Sequence, residues 1–212
     1  EIKSICLYFN LDTPDEINFQ IINMISALKN FVHKDNTLAY FNGSNNVNID
    51  KIYKILNYEK NIKIKNLKNN KNGLSVYENK SLKIIFDIVY PFNKLLNYGF
   101  HSSTHAFELS FDKEKIITNC GSINYYNNKA PNYFRYSAAH STLTINNTNI
   151  SELIENKSYK RIPKAISFEV NEDENYIEWL STHDGYKMNF KKIVKRKLVI
   201  NKKNNEITGI DE

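Results

Sequence analysis

Histidine, tyrosine, arginine and serine are concentrated between residues 98 and 140 of this 212-residue chain. The densest stretches are Tyr98–Leu109 (YGFHSSTHAFEL), Ile117–Gly121 (ITNCG) and Asn132–Thr144 (NYFRYSAAHSTLT). If the three stretches lie on neighbouring strands, His101 and His140 would meet either Asn119 or Cys120. Two neutral imidazoles with an amide, carboxylate or thiolate form a zinc-type ligand shell. The pattern predicts a metal site, against the alternative that each histidine is an ordinary packed core or loop side chain.

The chain carries none of the short motifs that mark several common enzyme classes. It has no P-loop, no GxGxxG, no HExxH, no GxSxG and no CxxC sequence. These absences exclude most nucleotide-binding, dinucleotide-binding, zinc peptidase and serine hydrolase functions. The chain has only two cysteines, Cys6 and Cys120, which also excludes a disulfide framework or a cysteine-rich zinc module.

The net charge is +6 and the sequence pI is about 9.0. A basic surface attracts nucleic acid, anionic lipid or acidic polysaccharide, and the charge alone does not choose among them. Much of the excess lies in Lys60–Asn72 and Lys191–Lys197, where a composition rich in Lys and Asn is an equally simple explanation. With 41% hydrophobic residues and no apolar run of about 18 residues, the chain is typical of a globular protein.

The first part of the chain predicts helices. Thr13 is a candidate N-cap, followed by Pro14 at the first helical position and by acidic residues in the first turn. Apolar residues then recur at helical spacing from Ile17 to Val32, and the following His-Lys pair would close the helix. A second short helix is predicted at about residues 49–56.

From about residue 60 the hydrophobic period becomes that of β-strands. Strands are predicted at residues 81–90, 104–111, 115–119, 141–145, 165–170, 175–181 and 193–200. Short polar turns separate them without intervening helices, a pattern that predicts an antiparallel β-sandwich.

Several single residues are assigned places in these strands. Glu108 and Ser110 alternate with apolar residues and are predicted on the polar face of their strand. Trp179 is predicted in the core. His105 is predicted as a packing residue on the strand at 104–111, and His183 as a residue that stabilises a turn.

Four segments of the chain resemble the heparinase II/III-like family of polysaccharide lyases. They are Leu28–Gly43, Phe100–Gly121, Tyr133–Thr144 and Ser181–Tyr186, and the most specific feature is the ordered series FEL, NCG, YFR, AAHSTL and HDGY. The resemblance implies a mainly β fold: an antiparallel β-sandwich preceded by helices from an (α/α) toroid. Residues 1–57 would be the end of the toroid, and residues 58–212 would be the sandwich, truncated at its C-terminal end. The chain would then be a fragment of a longer protein.

The chemistry of this family is β-elimination on a uronic acid within an anionic polysaccharide. A base removes the proton α to the sugar carboxyl group, the 4-linked oxygen leaves, and aimed donors such as Asn, His or Arg stabilise the charge that develops. The family's main catalytic Asn, His and Tyr belong to toroid segments that would precede residue 1. The present chain would therefore form the sandwich wall of the cleft and would be inactive alone.

The resemblance also assigns a zinc cofactor. His101 and His140 match two zinc ligands of relatives, and Asn119 stands where relatives have an Asp ligand. Gly99 stands where relatives have a histidine that faces the substrate. Cys120 would replace the missing carboxylate only if a bulge or turn brought it to the same side as Asn119.

Four further residues are candidates for catalytic contact with the substrate: Tyr125, Tyr126, Tyr133 and Arg135. Family members place a tyrosine from this region against the substrate, and the sequence leaves open which tyrosine that is. Arg135 suits bidentate pairing with a uronate carboxylate, and the alternative is a local ion pair.

Three functions follow as hypotheses. The first is a polysaccharide lyase, whose partners would be an anionic polysaccharide and the toroid of the same protein, in the periplasm or outside the cell. The second is a non-catalytic carbohydrate-binding or structural sandwich. The third, a basic nucleic-acid-binding module, ranks last because no nucleic-acid-binding motif accompanies the charge. No partner nucleic acid and no membrane span are expected.

Overall fold

The structure is a computed structural model that describes residues 2–45, 47–57, 73–88, 100–122, 132–154 and 159–212. Its α-helices are α1 (Ile2–Tyr8), α2 (Asp15–Phe31), α3 (Ile49–Leu56) and α4 (Lys187–Phe190). Its strands are β1 (Leu74–Glu78), β2 (Leu82–Asp87), β3 (Phe107–Phe111), β4 (Glu114–Ile117), β5 (Glu152–Leu153), β6 (Tyr159–Arg161), β7 (Ala165–Glu172), β8 (Tyr176–His183), β9 (Val194–Asn201) and β10 (Ile207–Asp211). Two short 3₁₀ helices cover Asn132–Arg135 and Ser137–Ala139.

Two four-stranded antiparallel sheets form the sandwich that the sequence predicts. Their strand orders are β1-β2-β3-β4 and β10-β9-β8-β7, and β5 pairs with β6 in a small separate ribbon. The core between the sheets consists of alternate residues of β2, β8 and β9: Leu82, Ile84, Phe86, Ile177, Trp179, Leu198 and Ile200. The rings of Phe86 and Trp179 stack with centroids 5.7 Å apart, which confirms the predicted core position of Trp179.

Strand β2 is buried on both faces, because residues 2–45, here called the helical segment, cover the outer side of its sheet. Ile85 packs there with Ala39, Phe41 and Ala106. The ammonium group of Lys83 lies on the same side, where it donates to the carbonyl of Lys29 in the last turn of α2 at 3.0 Å. Burial lowers the pKa of Lys83, and its ion pair with Glu78 at 3.0 Å opposes that shift.

Helices α2 and α3 follow the sequence prediction, with a shift of one residue at the start of α2, whereas α1 and α4 are not predicted by the sequence pattern. Pro14, and not Thr13, is the N-cap residue, and Asp15 and Glu16 occupy the first turn. The predicted apolar stripe is only partly covered by the described residues: Ile25 is buried, whereas Met24 is 70% exposed. Residue 58 lies outside the described residues, so the division into 1–57 and 58–212 stays a prediction.

The alternation predicted for β3 is present, but its polar side does not face water. Glu108 and Ser110 are both completely or nearly completely buried under the helical segment. One oxygen of Glu108 accepts from Nε2 of His33 at 2.8 Å, and the other accepts from the backbone N–H groups of Tyr40 and Asn119, both at 2.9 Å. The second ring nitrogen of His33 contacts the hydroxyl of Ser110 at 3.0 Å. This carboxylate therefore joins the helical segment to the sandwich.

The strand predicted at residues 141–145 is wrong, and the strand predicted at residues 104–111 begins later, at Phe107. Residues 141–145 form turns with an isolated bridge between Ile145 and Thr148, and residue His105 lies in a turn with φ of 65°. Hydroxyl side chains explain the first case, because they hydrogen-bond the backbone in place of a neighbouring strand. Ser141 bonds the backbone of Phe107, and Thr142 donates to the carbonyl of Thr104 at 2.7 Å.

Substitution of Glu108 tests its role between the two layers. Glu108→Ala leaves several buried donors without an acceptor, so we expect the free energy of unfolding to fall by about 3 kcal/mol or more. Glu108→Gln keeps one acceptor oxygen and should cost clearly less. Chemical denaturation measures both. Glu114→Ala, at an exposed position on β4, is the control with an expected change within about 0.5 kcal/mol. A loss below about 1 kcal/mol for Glu108→Ala would contradict this account.

Candidate functional site

Two loops bring His101 and His140 together at the end of the sheet where β2 finishes and β3 begins. The ring centroids lie 5.2 Å apart with an angle of 55° between the planes, and both residues are buried. The backbone N–H of His101 donates to the side-chain oxygen of Asn42 at 3.1 Å. The backbone N–H of His140 donates to the carbonyl of Ser137 at 3.0 Å, at the end of the second 3₁₀ helix. Each imidazole is thus positioned through its backbone.

Both imidazoles are neutral at pH 7. Burial, with smaller contributions from the nearby His140 and Arg135, lowers the pKa of His101 to about 3. Burial also lowers the pKa of His140 to about 4, against the opposing effects of the Phe134 carbonyl and Glu108. Because Nε2 of His140 lies 3.1 Å from that carbonyl, which can only accept, the proton is on Nε2 and Nδ1 carries a lone pair.

Three ring nitrogens of this pair have no hydrogen-bond partner among the residues that the structure describes. They are Nδ1 and Nε2 of His101 and Nδ1 of His140. A buried polar atom without a partner is energetically unfavourable, and an ion, a water or a ligand is one explanation for it. Neutral imidazole nitrogens with free lone pairs are good metal ligands.

Arg135 lies beside the two histidines. Its Nε donates to the carbonyl of Phe100 at 3.4 Å, and its guanidinium lies 4.9 Å from the ring centroid of Tyr159. The side chain is buried, and its charge is one of the causes of the lowered pKa of His101. The cluster thus combines two neutral imidazoles with one fixed positive charge.

Asn119 is close in the fold, but its amide is used by other groups. Its nitrogen donates to Glu108 at 3.1 Å, and its oxygen accepts from the backbone N–H of Ser141 at 3.0 Å and lies 3.3 Å from the Ser141 hydroxyl. Cys120 is exposed. Across the described parts of the chain, no group of three or more His, Cys, Asp or Glu side chains is arranged to hold a metal ion.

The tyrosine candidates are only partly placed. Tyr125 and Tyr126 lie outside the described residues, as does Gly99. Tyr133 is 66% exposed, and its ring packs edge-on against Tyr136 with centroids 6.0 Å apart. Tyr133 therefore presents an aromatic surface to solvent close in sequence to Arg135.

A second buried histidine pair, His105 and His183, was not predicted as a pair. Their ring centroids are 4.6 Å apart. Nε2 of His105 lies 2.6 Å from the hydroxyl of Ser181, and Nδ1 of His183 accepts from the backbone N–H of Gly185 at 3.0 Å. The second contact confirms that His183 stabilises the HDGY turn. His105 packs as predicted, although it lies in a turn.

Other residues of the site gave no signal in the sequence. Tyr159 and Glu108 reach the site through contacts with residues more than fifty positions away, such as Phe100 and His33. Nothing in the local pattern of either segment reveals such a partner. The sequence shows only that Glu108 alternates with apolar strand residues. Alternation alone predicts that its side chain faces solvent, whereas it is buried.

Two antiparallel sheets pack face to face, a helical segment covers one of them, and a buried histidine–arginine cluster lies in the connecting loops. These features define the class of protein as a β-sandwich module joined to helices. A sequence model of the Heparinase II/III-like, C-terminal family matches residues 68–212. The match covers more than half of the chain, and the chain belongs to that family.

Solved structures share the fold. The heparan sulfate lyase HepC from Pedobacter heparinus superposes with a TM-score of 0.64 at 17% identity, covering 99% of this chain and 34% of that chain. The heparinase III that is the BT4657 gene product gives a TM-score of 0.64 at 14% identity, covering 93% of this chain and 33% of that chain. At these identities the similarity concerns the fold, and the chain spans about a third of these proteins. No curated protein matches it in sequence.

The buried pair His105 and His183 predicts an acid-sensitive fold. Burial lowers the pKa of His183 to about 4 and that of His105 well below its usual value, with Arg196 adding to both shifts and Asp184 and Asp211 opposing the first. An unfolded histidine titrates near 6.5, so between about pH 6.5 and 4 the unfolded chain binds more protons. The free energy of unfolding should therefore fall as the pH falls through this window.

Denaturation at several pH values with His183→Asn measures this effect. The variant should take up fewer protons on unfolding near pH 5, by up to about one, so its stability should depend less on pH. Thr182→Ala, at the next position of β8, should lower stability and leave the slope unchanged. Equal slopes for the wild type and His183→Asn would refute the assignment.

Proposed function

We propose that this chain forms the β-sandwich wall of a polysaccharide lyase that cleaves a uronic-acid-containing polysaccharide by β-elimination. The observation that carries the proposal is the convergence of His101, His140 and Arg135 on a sandwich of the heparinase II/III-like type. Two of the structurally similar proteins are named heparinase III and heparan sulfate lyase, so a heparan-type polymer is the first substrate to test.

The charge arrangement supports this chemistry. The proton that must leave is α to a carboxylate, and its removal adds negative charge to a group that is already an anion. A fixed cation in a dry site stabilises that charge strongly, since burial limits screening by water. Arg135 is such a cation, and the lowered pKa of His101 is consistent with its positive field. A neutral imidazole beside it can donate an N–H hydrogen bond to the developing anion without adding a negative charge to the site.

The catalytic Asn, His and Tyr of the resemblance would come from the toroid of the same protein. The exposed apolar residues of α1 support a helical partner there: Ile2, Ile5, Leu7 and Tyr8 are each more than half exposed. Among the described helices, none is both long and apolar enough to cross a bilayer. From this chain, Arg135 would hold the carboxylate, and Tyr133 is the described tyrosine that faces outward.

A zinc ion is proposed for the imidazole pair. The unpartnered nitrogens of His101 and His140 and their lowered pKa values fit a metal ligand, but Asn119 joins them only if its oxygen leaves Ser141. A zinc ion would supply positive charge and hold the two loops together. A non-catalytic carbohydrate-binding sandwich is the second candidate, and Asn119 and Gly99 favour it because each stands where relatives have a functional residue.

Lyase activity is tested by absorbance. The full-length protein should produce unsaturated uronate, seen as rising near-ultraviolet absorbance, on heparan-type or another uronic acid polymer. Arg135→Gln should lower kcat/KM by about a hundredfold or more, because the positive charge aimed at the carboxylate is lost. Arg135→Lys should lower it by less, because the charge stays. Lys113→Gln, an equal loss of charge at the opposite end of the sheet, should leave activity unchanged. Binding without any absorbance change on all polymers would favour the non-catalytic sandwich.

The metal proposal has its own test. Metal analysis of the purified protein should find zinc, and His140→Ala should remove it. Asn119→Asp should destabilise the metal-free protein, because it replaces a donor to Glu108 by a second carboxylate, and added zinc should restore its melting temperature. Asn119→Ser, which adds no charge, is the control. The proposal fails if the wild type holds no metal and zinc leaves all three melting temperatures unchanged.

A further inference from the structure

A polar pocket of about 420 Å³ lies outside the histidine cluster, between the second 3₁₀ helix, the β5–β6 ribbon and α4. Tyr136, Asn149, Ser151, Arg161 and Asn189 are among its lining residues. The volume is within the range of small-ligand sites. We propose that this pocket holds an acidic sugar residue of the polysaccharide, with Arg161 binding its carboxylate or sulfate group and Tyr136 packing on its ring. The inference rests on the proposed function.

The pocket adjoins the histidine cluster. Ser151 lines both this pocket and a smaller cavity that His101 and Tyr159 also line. The ribbon strand β6 carries both Tyr159 and Arg161. A register shift in its pairing with β5 interrupts the alternation between these two residues, because Arg161 pairs with Glu152 and Tyr159 with Leu153. Tyr159 lies under the guanidinium of Arg135, whereas Arg161 faces the pocket. One short strand therefore connects the two sites.

Hydrogen bonds hold the backbone beside the pocket and one of its side chains. The backbone N–H of Ser137, next to Tyr136, donates to the side chain of Asn149 at 2.9 Å, and the Ser137 hydroxyl accepts from the N–H of Ile150 at 2.9 Å. The Nη1 atom of Arg161 donates a hydrogen bond to the carbonyl of Gly185 at 2.8 Å. Positioned side chains lose little conformational entropy on binding, which favours affinity.

The chemistry of the lining selects an acidic sugar. Among the described residues, the bond to Gly185 is the one hydrogen bond of the Arg161 guanidinium, so its other N–H groups remain for a bidentate contact with an anion. Glu152 also lines the pocket, but Lys160 neutralises it through an ion pair at 2.8 Å. Tyr136 offers an aromatic face for the apolar side of a sugar ring, and the amides of Asn149 and Asn189 suit hydroxyl groups.

Calorimetric titration of the full-length protein tests the assignment, with a heparan-sulfate hexasaccharide as the probe and its carboxyl-reduced, desulfated form as the neutral probe. Arg161→Gln should weaken binding of the acidic probe about ten- to a hundredfold and leave binding of the neutral probe unchanged. Lys164→Gln removes the same charge from an exposed position nearby that does not line the pocket, and should change the affinity less than about twofold.

Two more variants separate the ring from the hydroxyl of the tyrosine. Tyr136→Ala should weaken binding, and Tyr136→Phe should bind as the wild type does. If Arg161→Gln does not fold, Asn189→Ala on the exposed side of the pocket carries the test, with an expected loss of about two- to tenfold. Equal losses for Arg161→Gln and Lys164→Gln, or equal losses on both probes, would overturn the inference.

The outcome is separable from that of the proposed function. A wild type that binds the acidic hexasaccharide through Arg161 but never forms unsaturated uronate supports this pocket while the lyase proposal fails. A wild type with lyase activity, in which Arg161→Gln has unchanged affinity and KM, leaves the lyase proposal intact and refutes the pocket.

Discussion

Burial of the Glu108 carboxylate is the constraint on which the rest of the structure depends. Removing a carboxylate from water costs several kcal/mol unless donors surround it. The donors here come from two places: His33 and Tyr40 on the helical segment, and Asn119 after β4. Because none of these is local to Glu108, the carboxylate is satisfied only when the helical segment and the sandwich have their native arrangement.

The same hydrogen-bond chain positions the candidate site. Glu108 holds the amide of Asn119, and the oxygen of that amide accepts from the backbone N–H of Ser141, the residue after His140. Through this chain, the layer contact at Glu108 fixes the loop that carries one of the two imidazoles. It also gives a physical reason for an amide at position 119. An aspartate there would face Glu108 with a second negative charge, which a nearby cation would have to offset.

The fold was largely predictable from the sequence, and the site was predictable in part. Alternation and turn residues predict the sandwich correctly, because core positions of strands such as β8 and β9 are visible as a period of two. The loops that carry His101 and His140 were less accessible: Ser141 and Thr142 resemble strand residues, but their hydroxyls bond the backbone of the neighbouring loop. Propensity cannot register such a contact, since its partner lies more than thirty residues away.

The two buried histidine pairs show why a lowered pKa does not by itself identify a functional site. His101, His140 and His183 have similarly lowered values, and burial is the largest cause in each case. Their surroundings differ. In the pair His105 and His183, each ring makes one hydrogen bond within the sandwich, to Ser181 or to the HDGY turn, and has one nitrogen without a partner among the described residues.

His101, in contrast, has no ring hydrogen bond to any described residue, lines a cavity and lies beside a buried arginine. Folding alone would not preserve such an arrangement, because an apolar side chain of similar size would avoid the unsatisfied nitrogens. A functional role explains what packing does not. The proposal therefore depends on the unsatisfied nitrogens and the adjoining charge of Arg135, whereas the neutral state of the imidazoles follows mainly from their burial.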